Sequence, residues 1–177
     1  MDPLAGTPWS APGTVSGFST ASPNEVLMAF ARAELDRIGG QGTAVDIGCG
    51  AARNAVPLAE MGWSVIGTDL SQPMLDAAIE RVENSGVSAR VQCMLAPMEG
   101  LPVGDASADL VIAHGIWNLA TSSAQFRQSV REAPVWRSPA PRSLSLPSRA
   151  TRCLIRRHRW PESPSSSHSS PDGRSVS

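Results

Sequence analysis

Lysine is absent: all 15 basic residues of this 177-residue chain are arginine. Cysteine is scarce. Its three residues have no regular spacing, which argues against a disulfide framework and for a reducing compartment. No apolar run approaches the ~20 residues that span a bilayer. The first residues, Met1-Asp2-Pro3-Leu4-Ala5-Gly6-Thr7-Pro8, have neither a basic start nor an apolar core, so no secretory signal is expected there. The histidines and cysteines lack ligand spacing, so no metal site is expected. These absences lead us to expect a cytoplasmic chain with no membrane partner, and the length allows one domain.

What is present falls into segments of different kinds. Residues before Pro134 carry a formal charge of −7, and those from Pro134 onward carry +6. Residues 1–21 are rich in Pro, Gly, Ser and Thr and read as irregular. Residues 22–133 alternate in type. Ser22-Pro23-Asn24-Glu25 reads as a capping box with proline at the first helical position. Leu27, Phe30, Ala31, Leu35 and Ile38 follow at helical spacing, and Gly39-Gly40 end that helix. Strands are expected near 43–47, 64–68, 90–94 and 109–113. Helices are expected up to about residue 61, with Pro57 loosening its first turn, from Ser71 to Asn84, and over 122–132. The order β-α-β-α-β-β-α implies an α/β, Rossmann-like, doubly wound parallel sheet. Ligand then belongs beyond the carboxyl ends of the strands, where strand order reverses. From Pro134 to Ser177, serine, arginine and proline supply 27 of 44 residues, and a disordered tail is expected.

Two stretches carry the chemistry. Val45-Asp46-Ile47-Gly48-Cys49-Gly50-Ala51-Ala52-Arg53-Asn54 reads as a buried strand, a glycine turn and a helix. Val65-Ile66-Gly67-Thr68-Asp69-Leu70-Ser71 reads as a second strand ending in a carboxylate. Gly48 and Gly50 let backbone approach a ligand that a Cβ would hold off. A helix starting just past Gly50 would aim unpaired N–H groups at it. Asp69, nineteen residues beyond Gly50, can accept from both hydroxyls of a ribose. The nicotinamide fingerprint Gly-x-Gly-x-x-Gly fits less well, because its third glycine would fall at Arg53.

Asp46-Ile47-Gly48-Cys49-Gly50 with Asp69 downstream resembles the class I S-adenosylmethionine-dependent methyltransferases, particularly the small single-domain kind. The resemblance covers about residues 20–133 and departs mildly at Ala52, where many members have glycine. It implies that S-adenosyl-L-methionine lays its methionine end over Gly48, Cys49 and Gly50, with Asp46 ordering the turn near the amino group. Asp69 would then hold the ribose, and Leu70 would pack on the adenine. Arg53 either reaches the cofactor carboxylate or is simply solvated. Cys49 reads as a small buried filler rather than a nucleophile. On the adenine side the family carboxylate position is Pro97, Glu99 is out of register, and backbone groups at Ala96 and Met98 are left to serve. The stretch Ala113-His114-Gly115-Ile116-Trp117-Asn118-Leu119 resembles the segment beside the transferred methyl. His114 is there a general base or a hydrogen-bonded wall. Trp9 and Phe18 are candidates to cap the pocket.

The family would continue after residue 133 with a Pro-Gly-Gly turn, a fifth strand and an antiparallel sixth and seventh, none of which is recognisable here. The expected sheet is therefore truncated after its fourth strand. All-arginine basic usage suggests a GC-rich coding sequence, and our expectation is that the reading frame departs from its ancestral text near residue 133. The competing readings are an arginine-rich tail that binds nucleic acid, and a tail of no consequence. The function implied is methyl transfer to a small-molecule acceptor, impaired by loss of the late strands. The alternatives are an inactive cofactor-binding fragment, or a nucleotide-binding scaffold with a basic tail.

Overall fold

A computed structural model describes residues 2–104 and 108–132. The expectations for residues 134–177 lie outside the described residues. The strands are β1 (Gly42–Ile47), β2 (Trp63–Asp69), β3 (Val91–Leu95) and β4 (Leu110–Ile112). They form one parallel sheet in the order β3-β2-β1-β4. The order reverses between β1 and β4, so the doubly wound expectation holds. The helices are α1 (Pro12–Thr20), α2 (Glu25–Arg37), α3 (Ala55–Met61), α4 (Gln72–Asn84) and α5 (Ser123–Glu132).

Local chemistry explains where these elements start. Ser71 accepts from the Met74 N–H at 3.3 Å and caps α4 as expected. Met74, Leu75, Ala78 and Val82 face inward, while Ile79 falls on the flank and stays 44% exposed. The cap of α2 is Asn24 rather than Ser22, because its Oδ1 accepts from the Leu27 N–H at 2.9 Å. Pro23 consequently lies outside the helix.

The irregular reading of residues 1–21 is overturned by α1. Gly13 and Gly17 make this helix weak alone, and docking holds it. Arg81 of α4 donates to the carbonyls of Phe18, Ser19 and Ala21. Ser71 Oγ donates to the Trp9 carbonyl at 3.3 Å, and the Gln72 N–H donates to Asp2 Oδ1 at 3.2 Å.

The sheet carries a cluster of buried residues on each face. On one, Ala44, Trp63, Val65, Leu110 and Ile112 pack with residues of α2, α3 and α4. Trp63 is fully buried and its Nε1–H donates to Ala31 O at 3.3 Å. On the other, Val45 and Ile47 meet Met98, Ala108 and partly buried residues from connecting segments, among them Leu101, Ile116 and Trp117. No helix among the described residues is long and apolar enough to cross a membrane.

Candidate functional site

The sheet register sets Ile47 beside Thr68, so the ends of β1 and β2 lie side by side at the carboxyl rim. Past Ile47 the chain turns back on β2. The N–H groups of Gly48 and Cys49 both donate to Thr68 O, at 2.7 and 2.9 Å. The Gly50 N–H donates to Asp69 Oδ2 at 2.9 Å, and the Ser71 N–H donates to Asp69 Oδ1 at 2.9 Å. The two stretches singled out in the sequence are thus one hydrogen-bonded unit.

Gly48 and Gly50 take φ of +72° and +53°, the left-handed region that glycine enters at little cost. A Cβ on Gly48 would come within 2.7 Å of Ile116 Cδ1. Ala52 takes φ of +56°, the one non-glycine residue among those described with positive φ. These left-handed residues delay the helix. It begins at Ala55 rather than just past Gly50, and residues 50–54 form turns. The expected helix end is therefore replaced by a turn, and the N–H groups of Gly48, Cys49 and Gly50 are spent on holding that turn to β2.

Asp46 lies beneath this turn, 2% exposed, with Oδ2 lacking any partner. Burial, reinforced by the charge of Asp69, pushes its carboxyl up to about 7, while Arg53 acts in the opposite sense. A buried acceptor left open at a backbone cradle is a group with capacity for a cationic ligand atom.

A second set of side chains closes one end. Asn54 Oδ1 accepts from the Asn24 N–H at 3.0 Å, tying α2 to the turn. His114 lies with Nε2 3.1 Å from Asn24 Nδ2 and Nδ1 3.3 Å from an Arg53 guanidinium nitrogen. Asn24 Oδ1 is committed to Leu27, so its NH₂ must face the imidazole. Guanidinium also only donates. Both neighbours of His114 therefore present N–H donors to its ring, one to each nitrogen. Arg53 also lies over the Phe18 ring at 5.9 Å. Between Arg53 and α1 is a groove of about 280 Å³, lined by Gly13, Thr14, Gly17, Phe18 and Ala21.

The structure thus brings together Asp46, Gly48, Cys49, Gly50 and Asp69, and sets Arg53 with His114 beside them. Leu70 follows Asp69 and is half-buried. Met98 is buried in the opposite-face cluster with Val45 and Ile47, and the Ala96 N–H is committed to Asp69 O at 3.0 Å. Glu99 turns toward α5, where Oε1 accepts from Gln125 at 3.0 Å, in keeping with its being out of register. Sequence reasoning missed Gly67 and Asn24. The signal for Gly67 was a lone glycine inside an apolar strand, a mark of close approach. The signal for Asn24 was its place three residues before Leu27.

Comparison with known proteins agrees with this geometry. A methyltransferase domain model matches residues 44–135. The ubiquinone/menaquinone biosynthesis C-methyltransferase UbiE of Geotalea uraniireducens is 31% identical over 94 residues, which is 51% of this chain and 40% of that protein. The ribosomal RNA small subunit methyltransferase C of Alcanivorax borkumensis is 27% identical over 110 residues, covering 60% and 32% respectively. This chain spans well under half the length of either relative. A crystal structure of a SAM-dependent methyltransferase from Geobacter sulfurreducens, in complex with S-adenosyl-L-homocysteine, superposes with a TM-score of 0.53 at 19% identity. It covers 73% of this chain and 53% of that one, a likeness of fold. With a matching domain model over more than half its residues, and the strand–turn–carboxylate unit in place, the chain belongs to the methyltransferase domain family.

Proposed function

We propose that this chain binds S-adenosyl-L-methionine and is a methyltransferase acting on a small-molecule acceptor. The observation that carries the reading is the Asp69 carboxylate. Each of its oxygens takes one backbone N–H, from Gly50 and from Ser71. A carboxylate has about four acceptor sites, so one on each oxygen is left for the two hydroxyls of a ribose. The backbone of Gly48, Cys49 and Gly50 fits the methionine end, and the open Oδ2 of Asp46 fits its ammonium. Leu70 and the backbone near Met98 are left for the adenine.

The cofactor, when bound, supplies a methyl group on a sulfonium whose leaving group is a neutral thioether. The protein's part is then mainly alignment of acceptor, methyl and sulfur, worth up to ~7–11 kcal/mol. The groove between α1 and Arg53 suits a small acceptor by its size, about 280 Å³. Phe18 forms one wall, and Arg53 can hold a carboxylate of cofactor or acceptor. His114 is assigned as the candidate proton acceptor by its place, exposed at the edge of the turn beside Arg53 and Asn24. We place the reaction in the cytoplasm, a reading supported by the free thiols of Cys49 and Cys93.

Calorimetric titration with S-adenosyl-L-homocysteine and, separately, with NAD tests the reading. We expect heat with the first and none with the second. Binding of NAD alone would replace the proposal with a nicotinamide site.

A further inference from the structure

Near the carboxyl rim the strand register aligns Ile112, Asp46, Gly67 and Cys93 in one row across the sheet. Paired residues of neighbouring strands present their side chains to the same face. Gly67 leaves a gap in that row, and the Cys49 side chain drops into it from the turn. A Cβ built on Gly67 would lie 2.9 Å from Cys49 Sγ and 3.1 Å from Cys49 Cβ. Cys49 Sγ thus rests on bare strand backbone, with its neighbours along the row Asp46 on one side and Cys93 on the other. Cys93, the partner of Gly67 on β3, presents its thiol to the face on which Cys49 Sγ lies. Cys49 Sγ donates to Gly50 O at 3.7 Å.

The two sulfurs are not equivalent. Cys49 is buried and Cys93 is half-buried, so a small reagent meets Cys93 first. Their interaction pushes the Cys49 thiol up, with burial adding to it, and pulls Cys93 down against the effect of its own burial. Exposure and the direction of both shifts thus agree in making Cys93 the sulfur that a peroxide meets first.

We propose that Cys49 and Cys93 are an oxidisable pair, converted by a peroxide into a disulfide that draws the glycine turn away from β2. The Cys93 thiolate attacks the peroxide, forming S–O and breaking O–O, and that sulfur is oxidised by two electrons to a sulfenic acid. The Cys49 sulfur then attacks it. The S–S bond forms, S–O breaks, and the departing hydroxide takes the Cys49 proton as water. In total two thiols lose two hydrogens and hydrogen peroxide becomes two waters. A disulfide sets its sulfurs about 2 Å apart, far inside a contact between thiols. Cys93 sits mid-strand in the ladder with β2, so the displacement falls on the turn. The bonds at risk are Cys49 N–H to Thr68 O and Gly50 N–H to Asp69 Oδ2.

The test uses the full chain carrying Cys153→Ser, which leaves this pair as its only cysteines. After hydrogen peroxide treatment we expect a mass lower by two hydrogens and a cross-linked peptide joining Cys49 to Cys93. Amide exchange should quicken at residues 48–50, and dithiothreitol should reverse all three. The further variant Cys93→Ser should abolish the cross-link while leaving the melting temperature and the turn's exchange in place. Two thiols still open to alkylation would overturn the proposal. So would Cys93 sulfinic acid without a cross-link, or a cross-link that leaves exchange at the turn unchanged. On the cofactor reading above, the oxidised chain should also bind S-adenosyl-L-homocysteine about tenfold more weakly, the worth of one charge-assisted bond. Absence of binding by the reduced chain would count against that reading alone, because the mass and exchange data judge the dithiol independently.

Discussion

On one face of the sheet, α2, α3 and α4 cover Ala44, Trp63 and Val65, and the glycine turn folds down onto the same face at Gly67. On the other face, Val45 and Ile47 are covered by segments between strands, through Met98, Ala108, Ile116 and Trp117. The first face is anchored by hydrogen bonds: Trp63 on Ala31 O, and the turn on Thr68 O and Asp69. The second is held by side-chain packing of loops, which relax more readily than helices. The chemistry that can grip an adenosyl group is built on the better-supported face.

The sharpest way to break this contrast is Trp63→Ala. Removing a fully buried indole from between helix and strand should cost about 3–5 kcal/mol in urea unfolding. A loss no larger than that of a substitution on the loop-covered face would mean the two faces are equally supported.

Asp46 sharpens the comparison through pH. Its carboxyl is raised to about 7 in the folded chain from an ordinary value of 3.8. Between those values the folded state holds more protons than the unfolded one, so stability falls as pH rises through that window. Below the window both states are protonated and no penalty exists. Above it the penalty is complete, on the order of 4 kcal/mol. Melting temperatures of the native chain should therefore fall from about pH 4 to 7, and Asp46→Asn should remove that component. An unchanged slope in the variant would mean the carboxyl is not buried as described.

The smallest effect belongs to Met98→Ala, expected at about 2 kcal/mol, the lower end for a buried methionine, because the surrounding loops can close on the cavity. A loss matching that of Trp63→Ala would erase the distinction between faces.

Much of this was legible in the residues, and the exceptions have physical reasons. Apolar runs set the strands, and Ser71 announced α4 through its side-chain oxygen. Asp46, the glycine pair and Asp69 announced the rim, because few arrangements need a bare backbone and a carboxylate one strand apart. The helix at 12–20 was not legible: its glycines and threonines favour coil, and it is Arg81, more than sixty residues away, that holds its last carbonyls. The late start of α3 was hidden because Ala52 occupies a left-handed conformation that its side chain does not advertise. Asn24 outcompeted Ser22 as a cap through geometry alone, since both residue types cap well. A lone glycine in an apolar strand marks Gly67 as a point of close approach, but that Cys49 is what approaches it is a three-dimensional fact.

On the cofactor reading proposed above, Asp69 joins the glycine turn to the ribose of an adenosyl cofactor. It is tested most directly by titrating the native chain and Asp69→Ala with S-adenosyl-L-homocysteine under identical conditions. We predict saturable binding by the native chain and an affinity lower by about a hundredfold or more in the variant, the worth of two hydrogen bonds to a charged acceptor. Equal affinities for two chains with the same circular-dichroism spectrum would contradict it.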